Sequence, residues 1–138
     1  MEINYLAVLV SAVLSMVIGG IWYGPLFGKL WFKVVGADAS DLEARKEMQK
    51  KAGPLYLIQF VLSLFQVFVL AVIINVFTNM SALETALWMY AGFIVPMVAA
   101  GAMWNNDSKE VSWTRFWIQA GYQLILFIMF GLILGFWK

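Results

Sequence analysis

The chain has 138 residues, of which 63% are hydrophobic, 17% aromatic and only 12% charged. A soluble domain carries about 25% charged residues because its surface meets water, so lipid is expected to replace water over most of this one. A net charge of +1 offers no basic face to nucleic acid, and the absence of cysteine and histidine removes disulfides, thiolate metal sites and the commonest general base.

The first apolar run, Ile3 to Gly24, has no charge after Glu2 and reads as a membrane-crossing helix. It departs from a secretory signal in three ways. It has Glu2 in place of a basic start, an over-long apolar stretch, and Trp22-Tyr23-Gly24-Pro25 where a cleavage site needs small residues, so it is expected to be retained. Along this run Ala7, Ser11, Ser15 and Gly19 recur every four residues, and Gly20, Gly24 and Gly28 continue a neighbouring stripe. Small residues at that spacing let helices approach closely in lipid, either within one chain or between chains.

Residues 28–53 form the only sizeable polar piece. Its opening, Lys29-Leu30-Trp31-Phe32-Lys33, mixes aromatic and basic groups as an interfacial anchor does. Ser40-Asp41-Leu42-Glu43 is a capping box for a short helix, with Asp41/Arg45 and Glu47/Lys51 spaced to pair along it. Gly53-Pro54 is expected to end that helix and start the next crossing. Two readings of this arm stand: a gate or docking arm, or a solvated spacer.

The second crossing is expected over Pro54 to Phe77. It carries Gln59, Ser63 and Gln66 on one face, within about 60° of each other at 100° per residue. The third, Ala82 to Trp104, opens on a second capping box, Ser81-Ala82-Leu83-Glu84, and should kink at Pro96. The turn Asn105-Asn106-Asp107-Ser108 precedes the fourth crossing, Phe116 to Trp137. Gln119 and Gln123 share a face of this last run, and Gly131 and Gly135 add another small-residue pair. Facing amides either line a hydrated path or act as glue between helices, at roughly 0.6 kcal/mol per bond. Weak internal symmetry links the first and third runs, which both end in Gly-x-x-Trp, at Gly19 to Trp22 and Gly101 to Trp104.

Each run is long enough for about 30 Å of hydrocarbon, and lipid leaves backbone groups no partners except within helices. The expected fold is therefore all-α: a single transmembrane domain, residues 1–138, built as a four-helix bundle with a short cytoplasmic helix between helices 1 and 2. Lys29, Lys33, Arg45, Lys46, Lys50, Lys51, Lys109 and Arg115 fall on one side, with Lys138 alone on the other. That bias predicts both termini outside and the arm in the cytoplasm, in a multi-pass protein of the inner membrane.

The string Gly19-Gly20-Ile21-Trp22-Tyr23-Gly24-Pro25-Leu26-Phe27-Gly28-Lys29-Leu30-Trp31, with Trp113, the segment Phe116 to Tyr122, Gly131 and Trp137 later, resembles the domain-of-unknown-function 1761 family. The resemblance implies a small, mostly bacterial four-helix membrane protein and carries no reaction or binding residues. It makes Trp22, Tyr23, Gly24, Pro25, Gly28, Lys29 and Trp31 a candidate interfacial motif. Small multidrug-resistance transporters match in size and helix count, but they couple through an acidic residue in the first helix, and none follows Glu2 here.

Three functions remain. One is an oligomeric channel or transporter for a small polar solute or ion, lined by Gln59, Ser63, Gln66, Gln119 and Gln123. Another is a non-catalytic partner or scaffold using its packing stripe, Ser11, Ser15, Gly19, Gly20, Gly131 and Gly135. The third, an intramembrane enzyme, lacks histidine, cysteine and any deep carboxylate, so no catalytic residue, metal or cofactor is expected. The partners implied are the lipid bilayer and either a second copy or another membrane protein, without nucleic acid.

Overall fold

The computed structural model describes residues 2–35 and 42–137, which form helices and short connections with no strand among them. The helices are α1 (Tyr5–Leu26), α2 (Gly28–Val34), α3 (Leu42–Val76), α4 (Ala82–Met103) and α5 (Lys109–Phe136). All but α2 contain a stretch long and apolar enough to cross a membrane.

Side-chain caps set where three helices begin. Asn4 Oδ1 accepts the Ala7 N–H at 3.1 Å, and Ser81 Oγ accepts the Glu84 N–H at 3.1 Å, as the second capping box predicts. Ser108 Oγ accepts the Val111 N–H at 3.3 Å and starts α5 about two turns ahead of the expected Phe116. Phe116 is where the apolar run begins, and Lys109, Glu110 and Arg115 are the polar first turns of the same helix.

The expected break at Gly53-Pro54 does not occur: α3 runs unbroken for 35 residues with Pro54 inside it. Pro54 forfeits one backbone hydrogen bond. The residue before a proline normally suffers from its Cβ, and Gly53 has none. At 1.5 Å per residue α3 is about 50 Å long, so about 20 Å of it extends beyond a bilayer core. Glu47 and Lys51 lie exposed on that extension. The Ser40–Glu43 box and the Asp41/Arg45 pair lie outside the described residues.

Two five-residue turns are π-helical: Trp22–Leu26, containing Pro25, and Tyr90–Ile94, just ahead of Pro96. A proline ring collides with the carbonyl four residues back, and a widened turn relieves that collision. The irregularity expected at Pro96 is therefore absorbed as a π-turn in the middle of α4. The same device ends α1, which extends the symmetry between the first and third crossings.

The four long helices share one core, including Val8, Val67, Leu70, Ala86, Leu126, Phe127 and Phe130. α5 is the central element: 44% of its apolar window is buried, against 11% for α4. It packs on α1, α2 and α4, while α3 packs chiefly on α1. Glycines make the α4–α5 contact. A Cβ on Gly131 would lie 2.8 Å from Leu83 Cα, and one on Gly135 would lie 3.1 Å from Ala82 Cβ. Asn4 Nδ2 donates to the Trp137 carbonyl at 3.1 Å and ties the two ends of the chain together.

At the opposite end, α2 is fastened to the start of α5. Arg115 Nη2 donates to the Val34 carbonyl at 3.2 Å and pairs with Asp107 Oδ2 at 2.8 Å. Lys33 and Glu110 form a more exposed pair at 3.2 Å. Only the half-buried Arg115 both caps a helix C-terminus and neutralises a carboxylate, so it should matter more than the exposed pair. Arg115→Ala is expected to raise amide exchange in Gly28–Val34 about tenfold, the equivalent of ~1.4 kcal/mol, and Lys33→Ala to leave it nearly unchanged. Hydrogen exchange with mass spectrometry in detergent measures both.

Candidate functional site

Three aromatic side chains whose polar tips must find partners lock the bundle together around residues 118–122 of α5. Trp22 Nε1 donates to the Ile118 carbonyl at 2.9 Å, and Tyr90 Oη donates to the Ala120 carbonyl at 2.8 Å. Tyr122 Oη donates to the Ser15 carbonyl at 2.8 Å. Two glycines admit these rings. A Cβ on Gly19 would sit 2.9 Å from Tyr122 Oη, and one on Gly121 would sit 3.0 Å from Trp22 Cζ2. Two of the three donors, Trp22 and Tyr90, come from the π-turns of α1 and α4, one from each.

This arrangement re-aims the candidate interfacial motif. Trp22 and Tyr23 are half-buried, with Tyr23 edge-on to Trp31 at 4.8 Å and to Tyr122 at 5.4 Å. Gly28 is buried, and a Cβ there would meet the Tyr23 carbonyl oxygen at 3.2 Å. Gly24, Pro25 and Lys29 are exposed. The aromatic part of the motif and Gly28 thus pack inward, and Gly24, Pro25 and Lys29 lie on the surface.

The polar residues divide in a way that periodicity alone did not reveal. On α5 the buried stripe runs through Ile118, Tyr122, Leu126, Phe130 and Leu134, and at 100° per residue Gln119 and Gln123 fall within its arc. Both face the interior and are half-buried. Ser11 and Ser15 of α1 are fully buried, as is Ser63 of α3. Gln66 is half-buried at the edge of the α3 core face. Gln59 is exposed, with Nε2 3.5 Å from Ser63 Oγ.

Gln59 does not face the α5 amides because α3 stands apart over this stretch. Every residue from Gly53 to Gln59 is exposed, and seven consecutive positions cover all directions around a helix. No helix among the described residues lies against it there.

Two buried side-chain oxygens in this interior, Ser11 Oγ and Gln123 Oε1, have no hydrogen-bond partner. Each costs about 1–3 kcal/mol unless something reaches it, and lipid supplies nothing that does. Ser15 Oγ, by contrast, donates to the Ala12 carbonyl at 2.6 Å, and Thr85 Oγ1 donates to the Ser81 carbonyl at 2.9 Å. Ser11 was expected only as a packing residue. Its spacing fits the small-residue stripe equally well, and nothing in a single sequence distinguishes a small side chain from an unpaired hydroxyl.

A second space, with a volume of about 860 Å³, lies at the end that holds both chain termini. It is bordered by the start of α1, the α3–α4 connection and the end of α5, with Ala71, Gly131 and Leu134 among its deeper residues. No sequence pattern pointed to it, because its lining comes from four separate segments.

The chain matches the family model described as "Protein of unknown function (DUF1761)" over residues 6–135. No curated protein and no solved structure matches it.

Proposed function

For a chain that belongs to the DUF1761 family, we propose a non-catalytic role in the membrane: holding a small polar solute inside the helix bundle and passing it across. The observation that carries this reading is the pair of unpartnered buried oxygens, Ser11 Oγ and Gln123 Oε1, on inward faces of α1 and α5. A ligand with hydrogen-bonding groups satisfies them, and an apolar one does not. The inward residues of this region, Ser11, Ser15, Ser63, Gln119 and Gln123, carry no charge, so the favoured solute is neutral. With eight of nine basic residues at the arm end, the reading places that end in the cytoplasm of an inner-membrane protein and both termini outside.

Proteoliposomes challenged with glycerol or urea, followed by light scattering, test the reading. Wild-type vesicles are expected to equilibrate faster than protein-free ones. Gln123→Leu is expected to slow the excess flux about tenfold, the effect of one lost interaction of ~1.4 kcal/mol, with the protein still monodisperse. Wild-type flux no faster than empty vesicles for either probe overturns it.

A second reading, a partner or scaffold subunit, draws support from Gly20, Gly24, Gly92 and Gly101, beside which a Cβ would meet nothing within 4 Å. These positions leave room for another helix to approach.

A further inference from the structure

The cleft at the terminal end and the polar interior are separated by a thin apolar layer, and that layer has one dominant member. Phe130 is fully buried and is the largest side chain that is. Along α5 it lies one turn below Leu134, which lines the cleft, and two turns above Gln123, which faces the interior. Val67 and Leu70 of α3 and Leu126 of α5 complete the layer, all of them buried. From Leu134 to Gln123 is about 16 Å along the helix, so the apolar barrier is much thinner than the bilayer. The bond from Tyr122 to the Ser15 carbonyl sets the depth of α1 against α5 and puts Ser11 one turn nearer the cleft than Ser15. An unpaired hydroxyl therefore lies at the depth of the layer, level with Leu126 to Phe130.

We infer that the cleft is the outward mouth of the same interior site and that Phe130 is the gate between them. The inference rests on the interior-site reading above and adds a route and a closing element to it. A dry apolar constriction excludes water and polar solutes without any charge, and the side chain that fills it decides whether it is wet. The backbone beside Phe130 is fixed, because Gly131 is pressed against Leu83 Cα. Opening therefore comes from rotation of the Phe130 ring or from movement of α1 and α3 away from it. Glu2 is the only charged residue among the described ones that line the cleft, so the mouth is expected to admit neutral or cationic solutes and to disfavour anions.

The chain contains no cysteine, so single-cysteine variants of it report access without further engineering. Leu134→Cys and Gln123→Cys are each reconstituted in sided vesicles and exposed, from one side at a time, to a small cationic, membrane-impermeant thiosulfonate. Leu134→Cys is expected to react from the terminal side only, and Gln123→Cys from the arm side only. Adding Phe130→Ala is expected to make Gln123→Cys react from the terminal side about tenfold faster, as a wetted constriction requires. Phe130→Val, which keeps an apolar side chain and disturbs packing less, should give a smaller change in the same direction and serves if the alanine variant does not fold. Gln123→Cys that reacts from neither side defeats the interior-site reading itself. Gln123→Cys that reacts from the arm side, but gains nothing on the terminal side in the folded Phe130 variants, defeats the gate alone.

Discussion

Gly131→Leu is expected to abolish the folded protein, and even Gly131→Ala to cost about 1–3 kcal/mol, the usual penalty for overpacking. The first heavy atom beyond hydrogen at this position meets Leu83 Cα at 2.8 Å, with Ala86 Cβ and Leu83 Cδ1 both at 3.2 Å. A backbone atom cannot rotate aside as a side-chain end can. Relief requires α4 to back away from α5, and that contact buries Ala86, Phe130 and Leu134 together. Because α5 is the helix on which α1, α2 and α4 all pack, separation there does not stay local. Thermal denaturation of the purified protein, read by size-exclusion chromatography, measures the effect. A Gly131→Ala protein as heat-stable as wild type would mean that α4 and α5 are not in this contact. The matched control is Gly101→Leu on the same α4 helix, where a Cβ meets nothing within 4 Å and little change is expected.

How far the fold was legible depended on whether lipid or a neighbouring helix imposed the constraint. The apolar runs were readable because a bilayer demands about 20 consecutive apolar residues whatever the helices do to one another. Caps were readable where the cap residue carries its own signature, as at Ser81 with Glu84 three residues on. Ser108 closes the turn that the sequence places before the last helix and caps that helix, while the apolar run that marks the crossing starts only at Phe116. Gly53-Pro54, by contrast, misled. Proline inside a helix costs a hydrogen bond and crowds the preceding turn without forbidding the helix, and a glycine before it removes the part of that crowding that a Cβ would add.

The candidate site was less legible, because it depends on which helices touch. Periodicity correctly grouped Gln119 with Gln123, since both lie on one helix. It could not say that α3 would diverge and leave Gln59 exposed, because the separation of two helices is not encoded in the phase of either. Tyr90 and Tyr122 were findable in principle: a tyrosine deep in a crossing has to place its hydroxyl, and the Ala120 and Ser15 carbonyls are where these two do so. Which carbonyls would receive them required the helix register.

The adjacent pair Gly19 and Gly20 gives the sharpest contrast. The small-residue stripe treats the two alike, yet they face opposite surroundings. A Cβ on Gly19 lies 2.9 Å from Tyr122 Oη and 3.4 Å from Tyr122 Cζ, whereas one on Gly20 meets nothing within 4 Å. Gly19→Leu is expected to push the Tyr122 ring from its place, breaking the 2.8 Å bond to the Ser15 carbonyl and loosening its edge contact with Tyr23. The combined loss of a buried hydrogen bond and close packing is about 2–4 kcal/mol. Tyr122→Phe removes the bond and keeps the ring, so it should lose only about 1 kcal/mol. It should also partly rescue Gly19→Leu, because the two changes share one contact. Gly20→Leu leaves the single-chain fold unchanged and bears on a different question. If it lowers the mass of the particle released from membranes, the exposed face of α1 is a contact with another chain. If mass and stability both hold, that face meets lipid, and the packing value of the stripe lies wholly within one molecule.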